Sequence, residues 1–569
     1  MKRSILICLF VLFSSGLLFS KDVSEKKSMR ALRMEKFASS QLDTLEIQIN
    51  VGKCFLGEFD KNKPIEPSAE QIKKGYIVFL RNYLFDIRPF SNPTAAEINK
   101  KDLKIFASLG EYEPLVFGVN ALTNLTGCKV TASEFLNEKG AKILPEAFQV
   151  NDVKYRPVGM DQVTVVSEIL ERAKEIARID EGLSKMIWVN VKVPEDAKPG
   201  VYKGKLTFAP ANKPATDIPV ELTVLPIKLL QPPAEVFSCS PIMAGSWNWE
   251  EMEKEFAALK EHGCTGEVTS ALAPEGENGD DFTNANKYME MAKKAGMQGY
   301  FFLFNAHCQG TSKYDTTYGL GGEKGDRLWS QPTYDKLTKL IQKTEDNAIA
   351  NKWLPHAYYL TTELGSTNSD PGGFDKTMKG AEGYYAAARK VKGAILLATF
   401  NRVEELAMHW KLPTLDWFGL NGEMCPDWEQ GAKVKPTLMT FISADQRMGH
   451  GFYLWKYNIK AVRPWCLKLG VMDPREQGLL YYYNKESHPS VRFERIREAV
   501  DDYKYCYLLN ETIKQAKAKG KDTKNAESVL QNVINKIPHD HKKDTPGFDL
   551  TSMDSLRLQL AEQIIKLQN

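Results

Sequence analysis

The sequence has almost no charge imbalance: Lys+Arg total 75 against Asp+Glu 72, a net of +3 over 569 residues. A balance this close to zero gives no reason to expect a nucleic acid or other polyanion as partner. Neither the nine cysteines nor the eight histidines stand at metal-ligand spacings. There is no CxxC and no HExxH, so no metal site is expected. A GxSxG elbow and a phosphate-binding P-loop are both missing. Gly319-Leu320-Gly321-Gly322 lacks the third glycine of a dinucleotide fingerprint and reads as a flexible loop, so no cofactor is implied. Beyond residue 20 no run approaches ~18 consecutive apolar residues, the length a membrane-spanning helix needs. A composition of 43% hydrophobic and 26% charged residues excludes a collagenous, low-complexity or mostly disordered chain.

What is there divides into segments. In residues 1–20, Lys2 and Arg3 precede the apolar run Ile5 to Phe13 and the small residues Ser14, Ser15 and Gly16. This is the pattern of a secretory signal peptide, cleaved after Ser20 or Gly16, and it predicts export to a periplasmic, cell-surface or secreted location. Cleavage removes Cys8 and leaves eight scattered cysteines, expected as mostly buried free thiols with at most one or two bridges. Residues 21–44 read as a solvated leader. Over 45–230 the signal is β, with period-two alternation in Ile187, Val189, Val191, Val193, again in Tyr202, Gly204, Leu206, Phe208, and a turn at Lys198-Pro199-Gly200 between them. A β-sandwich is predicted, interrupted by one helical patch at 163–178. Pro226 and Pro232-Pro233 mark a linker.

From 235 to 488 strands and helices alternate. Eight strands are predicted near 237–242, 264–270, 300–304, 357–360, 394–400, 415–420, 451–455 and 478–483, with mostly helical crossovers. Such a series closes into a (β/α)8 TIM-type barrel, whose active site lies at the strand C-terminal ends. Residues 489–569 read as a helical extension, with Phe493, Ile496, Val500, Tyr503 and Tyr507 on one face. The chain is therefore expected to be multidomain: an N-terminal β-sandwich, a central barrel and a C-terminal helical extension.

The barrel rule directs attention to Asn305 and His307 after strand three, Thr362 and Glu363 after strand four, Asn421 and Glu423 after strand six, and Trp455 and Tyr457 after strand seven. Carboxylates at strand tips beside aromatic rings suit glycosidic cleavage, which needs a proton donor, a second stabilising group and flat apolar faces for the sugar. Each residue also has a plainer reading. Glu363 could cap a loop, Glu423 could hold one, and His307 could be a loop hydrogen-bonder. His307, Asn305, Trp417, Trp455 and Tyr457 are the expected substrate-binding residues, although Asn305 carries no signal of its own and Trp417, Trp455 and the other tryptophans could be packing residues.

Two longer stretches resemble a known family. Trp188-Val-Asn-Val-Lys-Val-Pro194 with Pro199-Gly200-Val-Tyr202-Lys-Gly204, and His488-Pro-Ser-Val-Arg-Phe-Glu-Arg-Ile-Arg-Glu-Ala-Val500-Asp-Asp-Tyr503-Lys-Tyr505, are similar to glycoside hydrolase family 123 and its related domain of unknown function 4091 group. Gly451 to Trp455 is similar to the family's glycine-to-tryptophan strand. The resemblance implies retaining hydrolysis of β-linked N-acetylhexosamine, notably N-acetylgalactosamine, in which the substrate's own acetamide oxygen attacks the anomeric carbon. It also implies a strand-four Asp-Glu pair. Here Glu363 matches the acid/base, while Thr362 stands where the family has the acetamide-orienting Asp. Three alternatives follow. A second carboxylate, Glu423 or Asp370, replaces that Asp; the substrate lacks the acetamide; or a non-catalytic carbohydrate-binding protein survives on the same scaffold.

Overall fold

A computed structural model describes residues 62–158, 164–242, 248–276, 279–304, 331–364, 382–400, 413–421, 432–440, 446–468, 478–483, 486–539 and 547–569. The predicted signal peptide and leader lie outside them. The chain first forms β1 (Tyr76–Phe79), β2 (Leu103–Leu109), β3 (Tyr112–Ala121), β4 (Leu125–Ala132), β5 (Phe135–Asn137) and β6 (Lys142–Ile143). It continues with β7 (Phe148–Val158), β8 (Thr164–Arg172), β9 (Ile176–Ile179), β10 (Ser184–Lys192), β11 (Gly200–Ala209) and β12 (Thr216–Lys228). One sheet runs β1-β3-β10-β7-β8 and the other β2-β12-β11-β4-β9. Phe117, Ile187 and Val189 of the first share a core with Tyr202, Leu206 and Leu222 of the second.

Two sequence expectations are corrected here. The patch at 163–178 is strand, not helix: Thr164 to Arg172 pairs antiparallel with β7 along its whole length, and its β-branched Thr164-Val165-Val166 start favours that ladder. Pro226 falls inside β12, at the register shift between Val224 and Lys228 where β12 meets β2, an irregularity that tolerates a missing N–H. The alternation in β10 is present, yet both of its faces are buried. Ile187, Val189 and Val191 face the sandwich core, whereas Met186 and Trp188 join the core that continues into the barrel and C-terminal helices.

The central unit is a parallel eight-stranded sheet: β13 (Ser238–Cys239), β14 (Glu267–Thr269), β15 (Phe301–Phe304), β16 (His356–Leu364), β17 (Leu396–Phe400), β18 (Trp417–Asn421), β19 (Thr437–Thr440) and β20 (Ala461–Arg463). The ring closes between β13 and β14 through the Ile242–Val268 bridge and the Val268 N–H donated to Pro241 O at 2.9 Å. Three helices on its outer side are α1 (Trp249–Glu261), α2 (Thr283–Lys294) and α3 (Gln331–Ala350).

The predicted seventh and eighth strands are also corrected. Phe452–Lys456 is a short helix following a helix at Gln446–His450, and the seventh and eighth strands are β19 and β20. Phe452, Tyr453 and Leu454 are all fully buried, and an apolar run buried on every side has no period to separate strand from helix. Gly451 is required there because a Cβ would come within 2.5 Å of Ala499 O. Residues 480–483 instead pair antiparallel with 486–489. This hairpin is fastened to the sandwich, where Arg156 donates to Tyr481 Oη at 2.6 Å and Tyr481 donates to Glu168 at 2.6 Å.

Helix α4 (Val491–Ala518) follows, capped by Ser490, which accepts from Phe493 N–H at 3.0 Å; α5 (Lys524–Lys536) and α6 (Ser552–Gln568) pack on it. Of the expected apolar face of α4, Phe493, Ile496, Val500 and Tyr503 are buried and Tyr507 is partly so; Glu494, Arg495, Arg497, Glu498, Asp501 and Asp502 are buried as well. The reason is an ion cluster shared by three parts of the chain. Arg557 of α6 donates to Glu113 (2.8 Å) and Glu111 (3.2 Å) of the sandwich and to Glu498 (3.0 Å) and Asp502 (2.6 Å) of α4. Arg447, from the barrel, adds a second donor to Asp502 at 2.8 Å.

Among the described cysteines, Cys128, Cys239, Cys264, Cys466 and Cys506 are buried thiols outside any disulfide. Burial drives the Cys264 thiol well above its ordinary pKa, with Cys239 Sγ 3.3 Å away adding to the effect.

Arg557→Met strands Glu111, Glu113 and Glu498 without their cation, so a loss of about 3–5 kcal/mol is expected in urea unfolding. Lys142→Ala, which removes an exposed partner of Glu134, should shift stability by about 0.5 kcal/mol or less. A second prediction concerns Glu267. Burial first, and the nearby Glu255 carboxylate second, push its pKa well above the ordinary value of 4.5. A raised carboxylate contributes stability that is complete below the unfolded pKa and is lost as pH rises through the folded one. Glu267→Gln should therefore gain on the wild type as the pH rises above the ordinary carboxylate range, read as the difference in urea midpoints. A constant difference would contradict it.

Candidate active site

The barrel interior is filled at its N-terminal end and middle. Tyr300, Phe302, Ala357, Tyr359, Leu397, Trp417, Leu438 and Ala461 form one buried cluster inside the ring. Trp417 is the first residue of β18, 4% exposed, with its ring 5.0 Å from that of Tyr300 and 5.7 Å from that of Phe302. It lies at the opposite end of its strand from the expected site, so its role is packing rather than a sugar platform. Gly419, the next inward position, leaves room for Thr399, whose Cγ2 would lie 2.4 Å from an added Cβ. Thr399 Oγ1 and Tyr359 Oη are hydrogen-bonded at 2.6 Å and cap this packed layer.

Above that layer the strands end. Asn421, Thr440 and Arg463 are the last residues of β18, β19 and β20, and they are direct register partners. On the other side of the ring, β16 carries Thr362 and Glu363 within its last three residues. Their strand is irregular there: Thr361 pairs with Ala398 and Leu364 with Phe400, so Thr362 and Glu363 together face the single residue Thr399. A bulge of this kind bends the strand, and bulges gather at barrel rims beside active sites. The sequence-based positions Thr362 and Glu363 are thus at the C-terminal mouth of the fourth strand. Asn305, His307 and Glu423 lie outside the described residues, as does Asp370.

The two remaining aromatic expectations are corrected. With residues 451–455 not a strand, Trp455 and Tyr457 do not stand at a strand tip. The Trp455 ring meets Tyr503 of α4 edge-on at 5.2 Å, and the Tyr457 hydroxyl is hydrogen-bonded to His539 Nδ1 at 2.7 Å. Both hold the barrel against the C-terminal helices.

One residue that the sequence reading did not single out stands at the mouth. Arg463 is 2% exposed, its guanidinium carbon lies 5.3 Å from the centroid of the Tyr359 ring, and Nε and Nη2 meet no acceptor among the described residues. The signal was the Ala461-Val462-Arg463 run, two apolar residues and a cation, hidden once the seventh and eighth strands were placed elsewhere.

Glu267, with its raised pKa, has the titration of a general acid but the wrong direction. It accepts a hydrogen bond from Tyr288 of α2, whose ring packs on Phe256 and Phe301 between strand and helix. A cleft of about 1220 Å³ among the described residues is not at the strand C-termini either. It runs between the sandwich and the outer faces of α1, α2 and α4, and ion pairs such as Lys228–Glu195 and Lys294–Glu253 lie along its walls. Among the described residues no three His, Cys, Asp or Glu side chains converge as metal ligands would, and no helix is long and apolar enough to cross a membrane.

The sequence profile of the glycoside hydrolase 123 N-terminal domain matches residues 118–209, from within β3 to the end of β11. No curated protein matches the sequence. Among solved structures, a family 123 glycoside hydrolase from Clostridium perfringens superimposes with a TM-score of 0.65 at 11% identity, over 87% of this chain and 100% of that one. A family 39 glycoside hydrolase from Bacteroides cellulosilyticus WH2 gives a TM-score of 0.37 at 10% identity, covering 71% of this chain and 82% of its own. Over residues 118–209 the chain thus matches the N-terminal domain of glycoside hydrolase family 123, and its overall fold is similar to that of a family 123 enzyme.

Proposed function

We propose that this chain is an exported glycoside hydrolase, acting on a β-linked hexosaminide of the N-acetylgalactosamine type or a related glycoside, with Glu363 as general acid/base. The observation that carries this reading is the bulged tip of β16, which brings Thr362 and Glu363 to the C-terminal mouth of a parallel barrel. The Clostridium perfringens enzyme, described in terms of the hydrolysis of glycolipid glycans, supports a glycan as the substrate class. The signal-peptide pattern of residues 1–20 supports export.

In the substrate-assisted route the sugar's acetamide oxygen attacks the anomeric carbon as the bond to the leaving oxygen breaks. Glu363 gives that oxygen its proton. The same carboxylate then takes a proton from the water that opens the resulting oxazoline ring. Thr362 can accept a hydrogen bond from the acetamide N–H but offers no charge to the developing oxazolinium. A missing stabilising partner at a reacting centre costs about 10²–10³ in rate. Glu423, two residues beyond the end of β18, is the nearest sequence candidate for a replacement carboxylate. The same Thr362 favours a second reading, a carbohydrate-binding protein without turnover.

A panel of chromogenic glycosides that includes N-acetyl-β-galactosaminide separates the two. The hydrolase reading expects release from at least one of them. It expects Glu363→Gln to lose about 10²-fold or more with circular dichroism and melting temperature unchanged. Thr362→Asp should raise the rate on acetamido sugars and leave other glycosides unaffected. A fully active Glu363→Gln variant removes the assignment, and glycan binding without product from any glycoside favours the second reading.

A further inference from the structure

Other buried arginines among the described residues have a carboxylate partner, even where, as at Arg497, some of their nitrogens lack a hydrogen bond. Arg557 reaches four carboxylates and Arg447 reaches Asp502. Arg497 is paired with Glu494. Arg463 is as deeply buried as these, at 2% exposure, and no carboxylate among the described residues pairs with it. Holding an uncompensated guanidinium out of water is costly, and such a charge persists when something outside the chain completes it.

The geometry says what would complete it. The two unsatisfied atoms, Nε and Nη2, form one edge of the guanidinium, the edge whose two parallel N–H bonds match the paired oxygens of a carboxylate or a sulfate. The plane is placed by the Tyr359 ring at 5.3 Å, and that ring is itself fixed by the bond to Thr399. Arg463 ends β20, inside the ring, and Tyr359 precedes Glu363 on β16. The unpaired fork and the proposed acid/base therefore belong to one mouth.

We propose that Arg463 binds an anionic substituent, a carboxylate or a sulfate ester, on the sugar that occupies this mouth, so that the preferred substrate is an acidic glycan. The proposal rests on the barrel mouth being the glycan site, but it concerns binding and stands or falls without turnover.

Calorimetry on the full mature chain tests it with two matched pairs: galacturonate against galactose, and N-acetylgalactosamine 6-sulfate against N-acetylgalactosamine. Wild-type protein should bind one anionic member about 10-fold or more tighter than its neutral counterpart, as expected of a charge-assisted bidentate contact. The pair that shows the preference identifies carboxylate or sulfate. Arg463→Met should bring both members of that pair within about twofold, with the neutral sugar's affinity unchanged, while Arg463→Lys keeps part of the preference. Because the guanidinium is unpaired in the free protein, Arg463→Met should melt no lower than wild type. The assignment fails if wild type does not separate the members of either pair or binds none of the four sugars. It fails equally if Arg463→Met weakens neutral and anionic sugars alike, or if that variant melts lower, which would mean that the arginine already has a partner within the chain.

Discussion

Three regions of this chain meet around two guanidinium groups. Arg557 pairs with the carboxylates of Asp502, Glu498, Glu111 and Glu113, Arg447 shares Asp502 with it, and every one of these groups is buried. In a low-dielectric interior such groups tolerate one arrangement: each carboxylate must keep its cation, and each cation its carboxylates. The cluster therefore fixes α4 and α6 against the edge of the sandwich and against the barrel together. Around it, apolar packing continues without a break from Trp188 through Phe493 and Ile496 to the helices outside the barrel. The specificity of the docking resides in the charges, and its bulk stabilisation in the apolar contacts.

That rigidity bears on the barrel mouth. The strands β18, β19 and β20 end in register, and the helix pair at 446–450 and 452–456 that links β19 to β20 is clamped by Arg447 and by Trp455 against Tyr503. The rim opposite β16 is thus set by the same contacts that hold the C-terminal helices. Inside the ring the Tyr359–Thr399 hydrogen bond lies on the strand C-terminal side of the buried apolar cluster. Above it the chain has placed an unpaired cation and, on β16, a bulge at Thr362 and Glu363. Buried charges elsewhere are compensated to a degree that makes the exception at Arg463 informative.

Much of this was legible in the residues, and the parts that were not have physical causes. The alternation of Ile187, Val189, Val191 and Val193 announces β10, but alternation reports one buried face and is silent about Trp188 and Met186, buried on the other by the barrel and helices. At 163–178, read as helical in the sequence, pairing with β7 decided the conformation. Strands β19 and β20 are too short to display a period, with four and three residues, and the stronger apolar run of Gly451 to Trp455 displaced them. That displacement took Trp455 and Tyr457 into the site and left Arg463 out. Glu363 was found because the fourth strand is strongly apolar up to Leu360, so that the first charged residue after it marks the rim.

The central claim is that a glycan is bound and cleaved at the C-terminal mouth of the barrel with Glu363 at its glycosidic oxygen. The crystal structure of the Glu363→Gln variant with an uncleaved oligosaccharide tests it most directly. The account expects the side-chain amide of residue 363 within about 3 Å of the bridging oxygen, the reach of a proton donor, with the sugar resting above Tyr359. A glycan seated instead in the cleft between the sandwich and helices α1 and α2, with the mouth empty, would contradict it.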